Sequence, residues 1–369
     1  MTVGRGSFVA RKRIGYAMQR RPDRGVQSAL LAAVLFGAST PLAKGLLASV
    51  PPQVLAGLLY LGSGLGLGTV WLWQRRSGKV GEAALARRDL PWLLGAIGFG
   101  GFLGPLLLLI GLSHTPASAA SLFLNLEGVF TALLAWIVFR ENVDRRIALG
   151  MVAIVAGGAL LAWQGHLDWG EFSGPLAIAA ACLCWGIDNN LTQKGSSSNP
   201  LQIAALKGAA AGTVNLVIGL TLAGSLPNLP RTSAALVLGF FGYGLSLVLF
   251  VLSLRRLGTA RTGAYFSTAP FIGAILSVFL WHEPISVTLL ASGGLMALGV
   301  WLHLTEYHIH NHTHEPLSHA HPHIHDAHHQ HSHAPDDPTG EPHTHAHVHE
   351  ALTHSHPHFP DIHHRHRHD

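Results

Sequence analysis

The sequence predicts an all-α membrane protein: ten transmembrane helices in two inverted five-helix repeats, followed by a disordered cytoplasmic tail. Three observations lead there. The chain is 49% hydrophobic and only 12% charged, about half the charged share of a soluble protein. Its apolar runs reach the roughly 20 residues needed to cross the hydrocarbon of a bilayer. And 24 of its 27 histidines crowd into the last 67 residues, a stretch with no apolar core of its own.

Residues 1–25 form a basic leader carrying Arg5, Arg11, Lys12, Arg13, Arg20, Arg21 and Arg24. It lacks the apolar centre of a cleaved signal peptide. Ten candidate spans follow, at 26–48, 53–73, 90–111, 116–139, 147–163, 173–193, 201–223, 233–254, 262–281 and 285–305. They are rich in Gly, Ala and Ser, which let helices approach closely in lipid. They lack the alternation of barrel strands. The first repeat occupies 26–163 and the second 173–305.

Loop charges set the orientation. With the N-terminus inside, the inner loops carry Arg75, Arg76, Lys79, Arg87, Arg88, Arg140, Arg145, Arg146, Lys194, Arg255, Arg256 and Arg261; the outer loops carry Arg231. This is the positive-inside pattern. It places both termini in the cytoplasm of a multi-pass protein of a bacterial inner membrane. The formal charge of +5 resides in these short loops, so it does not point to nucleic acid. Cys182 and Cys184 lie within one span and read as packing residues rather than a disulfide.

The halves align. LSHTPASAASLFLNLEGVFTALLAWIVFREN (112–142) matches LRRLGTARTGAYFSTAPFIGAILSVFLWHEP (254–284) without gaps, and both stretches carry a late Glu, Glu141 and Glu283. Five spans per half is an odd number, so the halves sit upside down relative to each other, as in many secondary transporters.

These residues resemble the drug/metabolite transporter superfamily in its EamA-type branch. The resemblance runs from the opening span with FGASTPLAK, through ALKG in the seventh, to SLRRLGTARTGAYFSTAPFIGAILSVFLWHEPISVTLLASGGLMALGV (253–300). It implies ten helices, a central cavity and export or exchange of small solutes, and no enzymatic activity. It does not transfer a substrate. One departure stands out: Glu127-Gly128 occupies the place of Ala269-Pro270 in the second half, where the family usually has proline.

Glu127 lies about 11 residues into its span, or ~17 Å at helical rise, near the midplane. A carboxylate there costs at least ~2.5 kcal/mol unless it is protonated, paired or wet. It is the expected coupling residue. Asn125, Asp188, Asn189 and Lys207 are the other expected substrate or coupling residues. Lys207 reads either as snorkelling to the interface or as a counter-ion for Asp188; Cys184 and Asp188 share a helix face. Lys44 is expected to snorkel, and His114, His166 and His282 to be solvated loop residues.

The tail, 306–369, contains a duplication with a period of 35 residues: HIHNHTHEPLSHAHPHIHDAHHQHSHA (308–334) and HTHAHVHEALTHSHPHFPDIHHRHRHD (343–369). The expected metal ligands are His308, His310, His312, His314, His319, His321 and His323 in the first copy. In the second they are His343, His345, His347, His349, His354, His356 and His358. Imidazole suits zinc, nickel and cobalt. The bundle requires no cofactor. The partners expected are the lipid bilayer and a small solute or metal ion, with homodimerisation left open. Two functions remain: proton-coupled export of a divalent transition metal, or export of an organic metabolite with the tail as metal sensor.

Overall fold

The computed structural model describes residues 24–77, 90–139, 145–163, 169–194, 199–223, 225–257 and 259–305, and four tail segments, 308–314, 317–323, 343–349 and 352–358. Nearly all of the basic leader, and the loop residues Lys79, Arg87, Arg88, Arg140, Glu141 and His166, lie outside the described residues.

Among its described residues the body consists of helices joined by short turns. Ten rods run in order: α1 (Arg24–Leu47), α2 (Pro52–Arg76), α3 (Leu90–His114), α4 (Ala117–Phe123 and Leu126–Phe139), α5 (Arg145–Ala162), α6 (Trp169–Lys194), α7 (Pro200–Ala223), α8 (Leu229–Leu238, Gly239–Leu245 and Ser246–Leu257), α9 (Thr259–Phe266 and Ala269–Trp281) and α10 (Val287–Leu304). Eight are long and apolar enough to cross a membrane. Of the other two, α6 is long but carries Asp188, Asn189 and Asn190, and α9 is split, leaving Ala269–Trp281 as a shorter apolar helix.

The repeat is visible in the backbone. Rods α3 and α8 each contain a seven-residue π-helical segment, Ile97–Leu103 and Gly239–Leu245. They lie 142 residues apart, the same offset as the gap-free alignment. Rods α4 and α9 each break at a two-residue turn, Leu124–Asn125 and Ser267–Thr268. Helix packing follows the same symmetry: α2 meets its counterpart α7, α5 meets α10, and α4 meets α9. The pair α3–α6 is mirrored by α8–α1, and α4–α6 by α9–α1.

Small residues bring the backbones together. A Cβ on Gly57 of α2 would stand 2.5 Å from the Leu216 amide nitrogen of α7, and one on Gly208 of α7 would stand 2.6 Å from that of Gly64 in α2. Along α5 and α10 the same happens at Gly150, Gly157 and Gly299. Helix association in lipid relies on such close packing rather than on a hydrophobic drive.

The basic helix ends emerge together. Arg146 at the start of α5 donates to the Thr305 carbonyl at the end of α10, at 2.8 Å. The tail therefore leaves the bundle at the face that carries Arg145 and Arg146. Sequence led us to expect no order in this tail. The structure has four strands there: β1 (His308–His314), β2 (Leu317–His323), β3 (His343–His349) and β4 (Leu352–His358). They form two antiparallel two-stranded ribbons, β1 with β4 and β2 with β3. The alternation that spaces the histidines is also a strand's period of two, and pairing gives the backbone groups partners.

Candidate functional site

The site is built on the break in α4. At Leu124–Asn125 the helical ladder is interrupted, and Asn125 repairs part of it: its amide Nδ2 donates to the Leu122 carbonyl at 2.9 Å. It also reaches the thioether sulfur Sδ of Met296, on α10, at 3.9 Å. Asn125 is buried at 6% exposure. Its side chain serves the broken backbone and faces α10. The Phe123 carbonyl, also beside the break, receives the Cys182 thiol at 3.6 Å. No proline is needed for the break here, whereas Pro270 marks it in α9.

Glu127 sits in the first turn of the half-helix Leu126–Phe139, and its own amide donates back across the break to the Leu124 carbonyl at 3.1 Å. It is half-buried, and beside it Gly128 faces open space. Its Oε1 accepts a hydrogen bond from Asn189 Nδ2 of α6 at 2.9 Å. Asn189 also donates to Thr131 Oγ1 at 3.3 Å, while Thr131 donates to the Glu127 carbonyl at 2.8 Å. Next to it, Asn190 donates to the Thr131 and Gly186 carbonyls, fixing the register of α6 against α4. Glu127 and Asn189 are therefore at one depth.

One residue along α6, Asp188 forms an ion pair with Lys207 of α7. Its other oxygen accepts from Thr192 Oγ1 at 3.0 Å. The side chains are 7% and 15% exposed, so Lys207 is turned inward to a counter-ion rather than snorkelling. Consecutive residues of α6 thus connect two units: a neutralised Asp188–Lys207 pair and Glu127, whose described partner is an amide. Among the described residues, no group of three or more His, Cys, Asp or Glu is arranged to hold a metal ion.

Behind the pair lies the π-helical segment of α3. Pro105 has no N–H, so neither the Gly101 carbonyl four residues back nor the Gly100 carbonyl five back receives a bond from it. Side chains use both. Gly100 O accepts from Tyr60 Oη at 2.8 Å and from Trp185 Nε1 at 3.0 Å. Gly101 O accepts from Asn215 Nδ2 at 3.3 Å, and Gln53 donates to Asn215 Oδ1 at 3.1 Å. Gly100 has no Cβ because the Asp188 carboxylate occupies that space. A polar seam therefore runs between α2, α3, α6 and α7. Sequence reasoning missed it; the signal was GGFLGP, two glycines placed four and five residues before a proline.

At the opposite end from the tail, two charges clasp the α3–α4 turn. Lys44 Nζ donates to the Leu112 and Thr115 carbonyls, covering the end of α3 instead of snorkelling. Glu283 accepts from the Ala117 and Ser118 amides at 2.7 and 2.9 Å, covering the start of α4. Exposed His282 adopts a left-handed φ of 51° at the end of α9 and turns the chain so that Glu283 points back.

A profile of the EamA-like transporter family matches residues 23–163 and again 172–305. A protein described as an uncharacterized transporter of Methanothermobacter thermautotrophicus is 30% identical over 293 residues, covering 75% of this chain and 85% of its own. Two described as uncharacterized transporters of Bacillus subtilis are similar: YyaM at 26% identity, covering 56% of this chain and 70% of its own, and YvbV at 25%, covering 70% and 84%. A solved crystal structure at 19% identity superposes with a TM-score of 0.57 over 75% of this chain and 95% of that one, which shows a shared fold. The chain belongs to the EamA-like transporter family, and is a multi-pass membrane transporter rather than an enzyme.

Proposed function

We propose that this transporter exports divalent transition-metal ions such as Ni²⁺, Co²⁺ or Zn²⁺ by alternating access of its two repeats, with Glu127 exchanging protons against the cargo. The observation that carries the reading is the environment of Glu127. An exposed asparagine and a half-exposed carboxylate cannot face lipid without large cost, so Glu127, Asn189 and the open side of Gly128 border an aqueous opening. With Asp188 paired to Lys207, Glu127 is the acid of this polar cluster, among the described residues, that has no cationic partner. The histidine tail, leaving from the face with the basic helix ends, would gather the ion where an exporter loads. Tail binding should weaken below about pH 6, as imidazoles protonate.

One observation favours a second cargo. The described part of the bundle offers no cluster of three metal-binding side chains, so a metal ion would have to pass with most of its water ligands. An organic metabolite would need no such cluster, and the tail would then act as a metal sensor. Uptake of radioactive nickel into inverted membrane vesicles, with and without residues 308–369, separates the two. Metal accumulation that the full chain accelerates supports the first reading. Accumulation no faster than in vesicles without the protein supports the second.

A further inference from the structure

We infer that the two copies of the tail repeat do not bind metal separately: each tight site is shared between them, as a four-histidine set drawn from facing strands. This rests on the reading that the tail binds metal and adds its ligand sets.

The register is the observation. In the first ribbon, His308 lies opposite His358, His310 opposite His356 and His312 opposite His354. In the second, His319 lies opposite His347, His321 opposite His345 and His323 opposite His343. Every one of these six rungs joins the first copy to the second. None joins histidines of the same copy. A one-residue slip would set histidine against Ile, Ser, Ala or Thr instead, so the pairing depends on register as well as composition.

Rung geometry fits one ion per pair of rungs. Directly opposite residues in an antiparallel ribbon share a face, with Cβ atoms about 4.5–5.5 Å apart. Successive rungs on that face are two residues apart, ~6.8 Å. Two adjacent rungs therefore place four imidazole-bearing positions around a square roughly 5 by 7 Å. Zinc takes four ligands, with Zn–N distances of about 2.0–2.1 Å. An imidazole is long enough to close on such a centre from each corner. Three rungs supply one four-ligand site and a spare pair, so each of the two described ribbons holds one tightly bound ion.

The prolines agree with this register. Pro357 lies opposite Ile309 and Pro322 opposite Thr344, each between two histidine rungs. Proline has no N–H for the ladder, so it suits the positions that exchange no hydrogen bonds. The histidine rungs then fall on the hydrogen-bonded positions, where the backbone holds the two copies at a fixed spacing.

The test uses the full chain in detergent, with zinc chloride titrated against a chromogenic chelator. Four sets of histidine-to-asparagine changes are compared, one per strand: 308, 310 and 312 in β1; 319, 321 and 323 in β2; 343, 345 and 347 in β3; 354, 356 and 358 in β4. All four sets are made on a chain whose nine histidines outside the ribbons (325, 328, 329, 331, 333, 363, 364, 366 and 368) are already asparagine; with its ribbons unaltered, that chain should hold two tight zinc ions. Changing β1 and β4 together should leave one, because both sets serve one site. Changing β1 and β2 together should leave none, because each belongs to a different site. If each copy binds alone, the results reverse: β1 with β4 leaves none, and β1 with β2 leaves one. That outcome overturns the shared sites while leaving a metal-binding tail intact. No tight zinc on the unaltered chain overturns both.

Discussion

Replacing Lys207 with methionine should destabilise the bundle by far more than the loss of one surface charge. Asp188 is held by Lys207 and by the Thr192 hydroxyl and is only 5% exposed. Removing the ammonium leaves a carboxylate in a site with a single neutral donor. Breaking one side of a buried ion pair costs about 3–5 kcal/mol, whereas replacing both partners is often close to neutral. Lys207→Met should therefore lower stability by about 3 kcal/mol, the lower end because its side chain retains 15% exposure. Asp188→Asn with Lys207→Met should recover most of that loss, since the asparagine can still accept from Thr192. Denaturant unfolding in micelles, followed by tryptophan fluorescence, measures both variants. A double variant as unstable as Lys207→Met, or a single variant within ~0.5 kcal/mol of the parent, would refute the buried pair as the organising charge of the seam.

Three further outcomes are expected. Glu283→Gln keeps the shape but removes the charge that receives the Ala117 and Ser118 amides; it should cost about 1–2 kcal/mol and raise hydrogen exchange at the start of α4 relative to α2. Gly57→Val should prevent α2 and α7 from closing, because the new Cβ would meet the Leu216 backbone at 2.5 Å, and the purified protein should aggregate or run as expanded material in size exclusion. His282→Gly removes a left-handed side-chain penalty at φ 51° and should raise the unfolding midpoint, with a gain of up to about 1 kcal/mol.

Much of the architecture was legible because lipid is a simple solvent. Each rod must be about 20 apolar residues long and satisfy its own backbone, so span edges could be read to within a few residues. The 142-residue offset was also readable, and the structure extends it to the two π-helical segments. The site was only half legible. Glu127 was conspicuous as the lone charge between Leu90 and Phe139, but its partner Asn189 depends on the stagger of α6 against α4, which sequence does not carry. The break in α4 turns the Asn125 amide toward Met296 of α10, a direction that sequence does not carry. Lys44 was assigned to the interface by a rule for isolated helices and instead found acceptors at the end of α3; for Lys207 sequence left snorkelling and a counter-ion role open, and the ion pair with Asp188 decides for the second. The strand pairing of the tail was hidden by composition, since a histidine-rich segment without an apolar core reads as disorder.

In the proposed cycle Glu127 exchanges a proton against the cargo. Proteoliposomes loaded with a pH-sensitive dye test it directly, with nickel or zinc added outside and protein oriented in both directions. Metal addition should drive a proton flux in liposomes with the parent protein, and Glu127→Gln should abolish that flux while leaving the protein folded. An equal metal-driven flux through Glu127→Gln would contradict the claim.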